Sequence, residues 1–134
     1  DQDVLDHFND AKKSNKLTIL ATASPEIFVD YLAKRLGFDL VVCTEMHRDS
    51  SGTWSGEMRS PNCFGEQKAV RITELLQKKS VSWRQCTFIS DSHTDIPCFE
   101  LAGHGFAVRP SRKLSRRMSV AGILAFPAQS IEDR

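Results

Sequence analysis

Four short, mostly apolar runs separated by helical patterns leave this chain few folds to choose from. Leu17-Thr-Ile-Leu-Ala21 and Phe38-Asp-Leu-Val-Val-Cys43 are strand-sized, as are Cys86-Thr-Phe-Ile89 and Gly105-Phe-Ala-Val108. The first is nearly continuous in hydrophobicity, the mark of a strand buried on both faces rather than one. Between the runs the apolar period changes from two to 3.6 residues. Residues from about 2 to 14 put Val4, Leu5, Phe8 and Ala11 on one side. A second helix has Ser24 as expected N-cap and Pro25 in its first turn, and Gly37 closes it. A third is expected over about 66 to 79, with Ala69, Ile72, Leu75 and Leu76 inward, and a short one after Asp95, ended by Gly103. Alternation of this kind predicts a parallel sheet sandwiched between helices, a three-layer α/β/α architecture.

Two stretches depart from it. Residues from about 45 to 65 are polar and rich in Gly and Ser, with Trp54 between Gly52 and Gly56, and predict a hairpin or loop excursion over one sheet edge. Val120 to Phe126 is expected to be a final edge strand.

At 134 residues the chain is read as one domain, residues 1–134. A net charge of +1 gives no broad field for nucleic acid or an anionic membrane, and no apolar stretch is long enough to span a bilayer. Cys43, Cys63, Cys86 and Cys98 lack CxxC spacing. That usage suits reduced, mostly buried thiols and a cytoplasmic setting better than a disulfide frame or a zinc site.

The chemistry concentrates at strand ends. Phe88-Ile-Ser-Asp91-Ser-His-Thr-Asp95 runs an apolar strand into two carboxylates four residues apart. Ligands of open α/β sheets bind beyond the carboxyl ends of the strands, and two close carboxylates call for a hard cation between them. The bland alternative is a turn with helix-capping aspartates. Taken singly, Thr22 reads as a helix-cap or turn residue, Lys68 as part of a solvated helix face, and His93 as an exposed loop histidine rather than a substrate contact or proton-transfer group. Arg109, Arg112, Arg116 and Arg117 read as a solvated basic surface.

Taken in order, these segments resemble the haloacid dehalogenase superfamily of phosphohydrolases, in its phosphoserine-phosphatase-like branch. Leu20-Ala-Thr22-Ala-Ser-Pro-Glu26 is similar to its second motif, Cys63-Phe-Gly-Glu-Gln-Lys68 to its third, and Ser90-Asp91-Ser-His-Thr-Asp95 to its fourth; Gly52-Thr-Trp-Ser-Gly56 resembles the hairpin before the lysine motif. The similarity runs from about residue 16 to residue 114. It implies phosphoryl transfer through an aspartyl-phosphate, with Mg²⁺ as cofactor and a small phosphomonoester as substrate. On that resemblance Thr22, Lys68 and Asp91 are the catalytic residues. Thr22, the backbone N–H groups of Ala23 and Ser24 at a helix N-terminus, and Lys68 bind phosphate. Asp91 and Asp95 hold the metal, Asp95 directly or through a bound water.

The first motif of the family, DxDx[TV] at the end of the central strand, supplies the nucleophile. Asp1-Gln-Asp3 has the spacing, but no apolar run precedes it and Leu5 stands where Thr or Val is expected. The resemblance therefore implies a sheet incomplete at its N-terminal central strand, with that motif and the substrate-selecting cap both absent. The strands carrying Thr22 and Asp91 would have to pair directly, rearrange, or recruit a substitute, for which Val120–Phe126 is a candidate. Negligible turnover by the chain alone is the expectation, with an upstream segment or a homo-oligomer completing the sheet. The rival is a non-catalytic phosphate-binding or protein-interaction domain of the same fold. A response-regulator receiver fits poorly, since receivers carry their acidic pair early and have no place for the Trp54 hairpin.

Overall fold

The computed structural model describes residues 1–126. Its elements run in chain order α1 (Gln2–Lys13), β1 (Ile19–Pro25), α2 (Glu26–Leu36), β2 (Leu40–Thr44), β3 (Met46–Arg48), β4 (Trp54–Met58), α3 (Glu66–Lys78), β5 (Thr87–Ser90), α4 (Ile96–Leu101), β6 (His104–Ala107), α5 (Arg112–Ala121) and β7 (Leu124–Ala125). Single 3-10 turns at Trp83–Gln85 and His93–Asp95 lead into β5 and α4.

The strands form two parallel half-sheets and one antiparallel ribbon. β1 pairs with β2, and β5 with β6 and then β7, while β3 and β4 make the ribbon. The β1–α2–β2 and β5–α4–β6–α5–β7 units each contain a parallel crossover, and such crossovers are right-handed. α3 connects β2 with β5 and packs on both half-sheets. Its Ala69, Ile72 and Leu76 share one core with Val42, Ile19 and Ala21 of the first half-sheet and with Cys86 and Phe88 beside or in the second. A second core joins Ile96 and Phe99 of α4 to Ala107, Leu114 and Ile123. α1 packs through its aromatic residues: Phe8 stacks on Phe38, and His7 meets Phe126, which in turn meets Phe106. Parallel strands flanked by helices make up the α/β architecture that the alternation predicts.

The structure corrects three sequence expectations and adds a helix that the sequence did not announce. β1 is half-buried along most of its length, not sealed on both faces, and Leu17 is 41% exposed. The physical reason is that, among the described residues, β1 has one hydrogen-bonded neighbour, β2, and its other edge is unpaired. The N-cap of α2 is Pro25 rather than Ser24, and no side chain caps that helix. Ser24 and Ala23 belong to the extended end of β1, so their N–H groups stand before the helix N-terminus, not on it. Residues 112–121 are helical: Ser111 accepts from Leu114 N, Leu114 is fully buried, and Gly122 ends the helix at φ +69°. The polar face of this helix masked its periodicity in the sequence. Finally, Val120–Phe126 does not replace a central strand. Its two strand residues, Leu124 and Ala125, pair with β6 on the side away from β5.

Candidate functional site

The carboxyl ends of β1, β2 and β5 carry the side chains with chemistry. β1 delivers Thr22, whose Oγ1 accepts from Ser24 N at 3.1 Å and so tightens the strand end. β2 ends on Thr44, only 3% exposed. Its hydroxyl donates to the Ala23 carbonyl at 2.8 Å, with Asn62 Oδ1 a longer contact at 3.2 Å, and it accepts from Cys63 N at 2.9 Å. One hydroxyl therefore joins the carboxyl end of β1 to the loop that opens α3.

That loop ends at Gly65, where φ is +55°, a conformation that suits glycine. A Cβ there would stand 3.7 Å from the Thr94 carbonyl, so the lysine loop lies against the turn after β5. Lys68, one helical turn on, is 7% exposed and its Nζ lies 2.7 Å from Asp95 Oδ1. The other oxygen, Oδ2, accepts from Ser90 Oγ at 2.6 Å, and Ser90 Oγ accepts from Ser92 N at 3.2 Å. Asp95 stands at the N-cap of α4, where an Asp side chain ordinarily accepts from helix N–H groups. It makes no such bond. Its carboxylate turns inward instead, and a 5% exposed carboxylate is sustained by an ammonium and a hydroxyl.

Asp91 is exposed, and its carbonyl accepts from Ser111 N at 2.9 Å, which ties α5 to the same turn. The two aspartates thus part company: Asp95 is buried with both oxygens engaged, while the Asp91 carboxylate faces solvent. Among the described residues no three His, Cys, Asp or Glu side chains converge on a metal position. Mg²⁺, however, keeps several waters and commonly takes one or two carboxylates plus substrate phosphate. Asp91 fits that pattern as a hard oxygen donor at a strand end. His93 is half-buried in the 3-10 turn after β5. Asp1 caps α1, accepting from Asp3 N and Val4 N, and also takes two hydrogen bonds from Arg109.

Above the strand ends stands the ribbon. Arg59 pairs with both Glu26 and Glu45, and Arg71 of α3 donates to Glu45 and to the Cys43 carbonyl. These contacts fasten the ribbon's base to α2 and α3. Farther out, Arg48 stacks 3.9 Å over the Trp54 ring. Thr44, Ser90 and Asn62 join this network without any role assigned to them by the sequence motifs. Ser90 had a visible signal in its place between an apolar strand and Asp91; Thr44 had none, because its partners are 18 to 21 residues away.

Comparison with known proteins follows the same lines. A model of the haloacid dehalogenase-like hydrolase family matches residues 1–100. A probable phosphatase of Mycobacterium tuberculosis is 35% identical over 119 residues, which cover 87% of this chain and 41% of that protein. The inhibition of morphological differentiation protein of Streptomyces azureus is 34% identical over 106 residues, covering 79% of this chain and 38% of its own length. The chain thus spans about two-fifths of the length of these curated relatives. Among solved structures, a Bordetella pertussis protein of unknown function superposes with a TM-score of 0.82 at 22% identity, over 93% of this chain and 57% of that one. A substrate-bound phosphoserine phosphatase superposes with a TM-score of 0.72 at 16% identity, over 90% of this chain and 56% of that one. Those two likenesses speak for the fold, and the family match and the mycobacterial relative speak for descent: this chain belongs to the haloacid dehalogenase-like hydrolases.

Proposed function

We propose that this chain carries the phosphate- and metal-binding edge of a phosphomonoester hydrolase that works through an aspartyl-phosphate, the nucleophilic carboxylate coming from a strand outside these 134 residues. The observation that carries the reading is the buried Lys68–Asp95 pair at 2.7 Å beside the open carboxylate of Asp91. An ammonium held below a strand end costs desolvation that a purely structural lysine would avoid by reaching solvent. Lys68 has three N–H donors, and Asp95 takes one. The others meet a phosphoryl oxygen at the edge as a fixed positive charge.

Thr22 donates its hydroxyl hydrogen to a second phosphoryl oxygen, since its oxygen is already engaged as an acceptor from Ser24 N. The Ala23 N–H completes that side of the phosphate pocket, while the Ser24 N–H holds the Thr22 hydroxyl in place. Asp91 holds Mg²⁺, which when bound neutralises phosphate charge and aligns the phosphoryl group with its nucleophile. Asp95 serves the same centre through Lys68, which it orients. The unpaired edges of β1 and β5 support the missing-strand reading: among the described residues each lacks a hydrogen-bonded neighbour on one side, and α3 already packs against both half-sheets. A strand entering there would place its carboxyl end between Thr22 and Asp91.

Hydrolysis of a generic aryl phosphate in the presence of Mg²⁺ tests this. The chain alone is expected to show negligible turnover. A longer protein that adds an apolar strand ending in DxDx[TV] is expected to hydrolyse the ester and to lose that activity in Asp91→Asn. Robust turnover by the chain alone that disappears in Asp3→Asn would overturn the reading. Phosphate binding without turnover in every longer form would favour the non-catalytic alternative.

A further inference from the structure

We infer that Thr44 is a positioning residue for phosphate binding, acting as the latch that holds the Thr22 turn and the Lys68 loop in register. The inference rests on the phosphate-site reading above, but assigns a role to a residue outside all of the motifs that suggested it. Thr22 and Lys68 reach the site from different elements, and their separation must match a phosphate group to within a few tenths of an ångström. No hydrogen bond joins the two among the described residues. What links their backbones is the Thr44 hydroxyl, which donates to Ala23 O at 2.8 Å and accepts from Cys63 N at 2.9 Å. Ala23 adjoins Thr22, and Cys63 opens the loop leading to Gly65 and Lys68.

The chemistry of the bond explains why a hydroxyl is needed. Joining a carbonyl to an N–H that do not face each other takes a group that both donates and accepts, and only a hydroxyl does so within the volume of a β-branched strand residue. Valine would keep the strand propensity and the packing but orphan both backbone groups, in a place only 3% exposed. The Asn62 side chain, 3.2 Å from the same oxygen, limits which way the hydroxyl turns. The two loops then move as one unit, so that tightening one side of the phosphate pocket fixes the other.

The test compares hydroxyl-bearing and hydroxyl-free residues in the 134-residue chain, with inorganic phosphate as the probe in the presence of Mg²⁺. Binding is read from amide chemical-shift titrations and stability from thermal melting. Thr44→Val is expected to weaken phosphate binding about tenfold, and Thr44→Ser to keep it within about twofold. Thr44→Ala against Thr44→Ser gives the same contrast at matched size, should the valine variant melt too low to titrate. In the unaltered chain phosphate is expected to slow exchange of the Cys63 N–H, which a latch serving only the fold would not show. Equal phosphate affinities across all four proteins would overturn the latch and leave the phosphate site standing. Absence of saturable, Lys68-dependent binding in the unaltered chain would overturn both.

Discussion

At the scale of single residues the molecule turns on a carboxylate that changed occupation. Spacing alone suggested that Asp91 and Asp95 act as a pair. In the fold Asp95 is satisfied by Lys68 and Ser90, and Asp91 faces solvent. Removing one partner from such a buried pair strands the other's charge. Asp95→Asn is therefore expected to destabilise the chain by about 3 kcal/mol in urea unfolding, and Lys68→Met by a similar amount. The double substitution should cost clearly less than the sum, because neither charge is then left alone; strict additivity would mean the two groups do not interact. Ser90→Ala removes one hydrogen bond to a carboxylate and should cost about 1 to 2 kcal/mol, recovered in part by Ser90→Thr. The Lys68–Asp95 contact is not readable along the chain, since the two are 27 residues apart, whereas Ser90 stands only five residues before Asp95. The sequence offered the residue types and the resemblance offered the roles; only packing showed which oxygen meets which donor.

Elements were legible in proportion to the strength of their periodicity. α1 and α3, each with a clear apolar stripe, fall within two residues of their expected bounds. α5 was missed because Arg112, Lys113, Arg116 and Arg117 crowd its outer face and only Leu114 is fully buried. β1 falls where its apolar run predicts but is half-buried, because among the described residues it pairs along one edge. The link between α4 and β6 holds a constraint no pattern announces. A Cβ on Gly103 would lie 1.9 Å from the Arg84 carbonyl oxygen and 2.6 Å from its carbon. Backbone cannot yield as a side-chain tip can. Gly103→Ala is thus expected to lower the thermal midpoint by several degrees, about what 2 kcal/mol does to a domain of this size. Gly52→Ala, at the ribbon tip with open space around it, should cost less, its penalty limited to the positive φ of 83°. An equal drop for the two would refute the crowding at Gly103.

For the whole molecule, the governing fact is a sheet in two halves held together by helices. Among the described residues β1 and β5 each have one edge with no paired strand, which a further strand would satisfy. Buried thiols report on the integrity of the core between them. Burial pushes the Cys98 thiol up to about 12, and burial, reinforced by Glu26, pushes Cys43 up to about 11, from an ordinary value near 9. The folded chain keeps these protons while the unfolded chain releases them, so their contribution is fully present below pH 9 and is lost as pH rises towards 11 and 12. Urea midpoints are expected to fall steadily across that window. A midpoint unchanged between pH 9 and 11 would show that the Cys43 and Cys98 thiols are not buried in solution.

Local chemistry, then, was decided by the sequence. Alternating periods require an α/β sandwich, an apolar strand running into Asp91 requires a polar strand end, and Gly37 and Gly65 require tight turns; each depends on neighbours a few residues away. The tertiary structure alone decided which half-sheet each strand joins, that β7 pairs at the outer edge, that Asp95 serves Lys68, and that Thr44 binds two loops together. Those outcomes depend on groups tens of residues apart competing for the same buried hydrogen bonds. That competition is settled by three-dimensional geometry, because a buried polar group takes whichever partner the packing brings within reach.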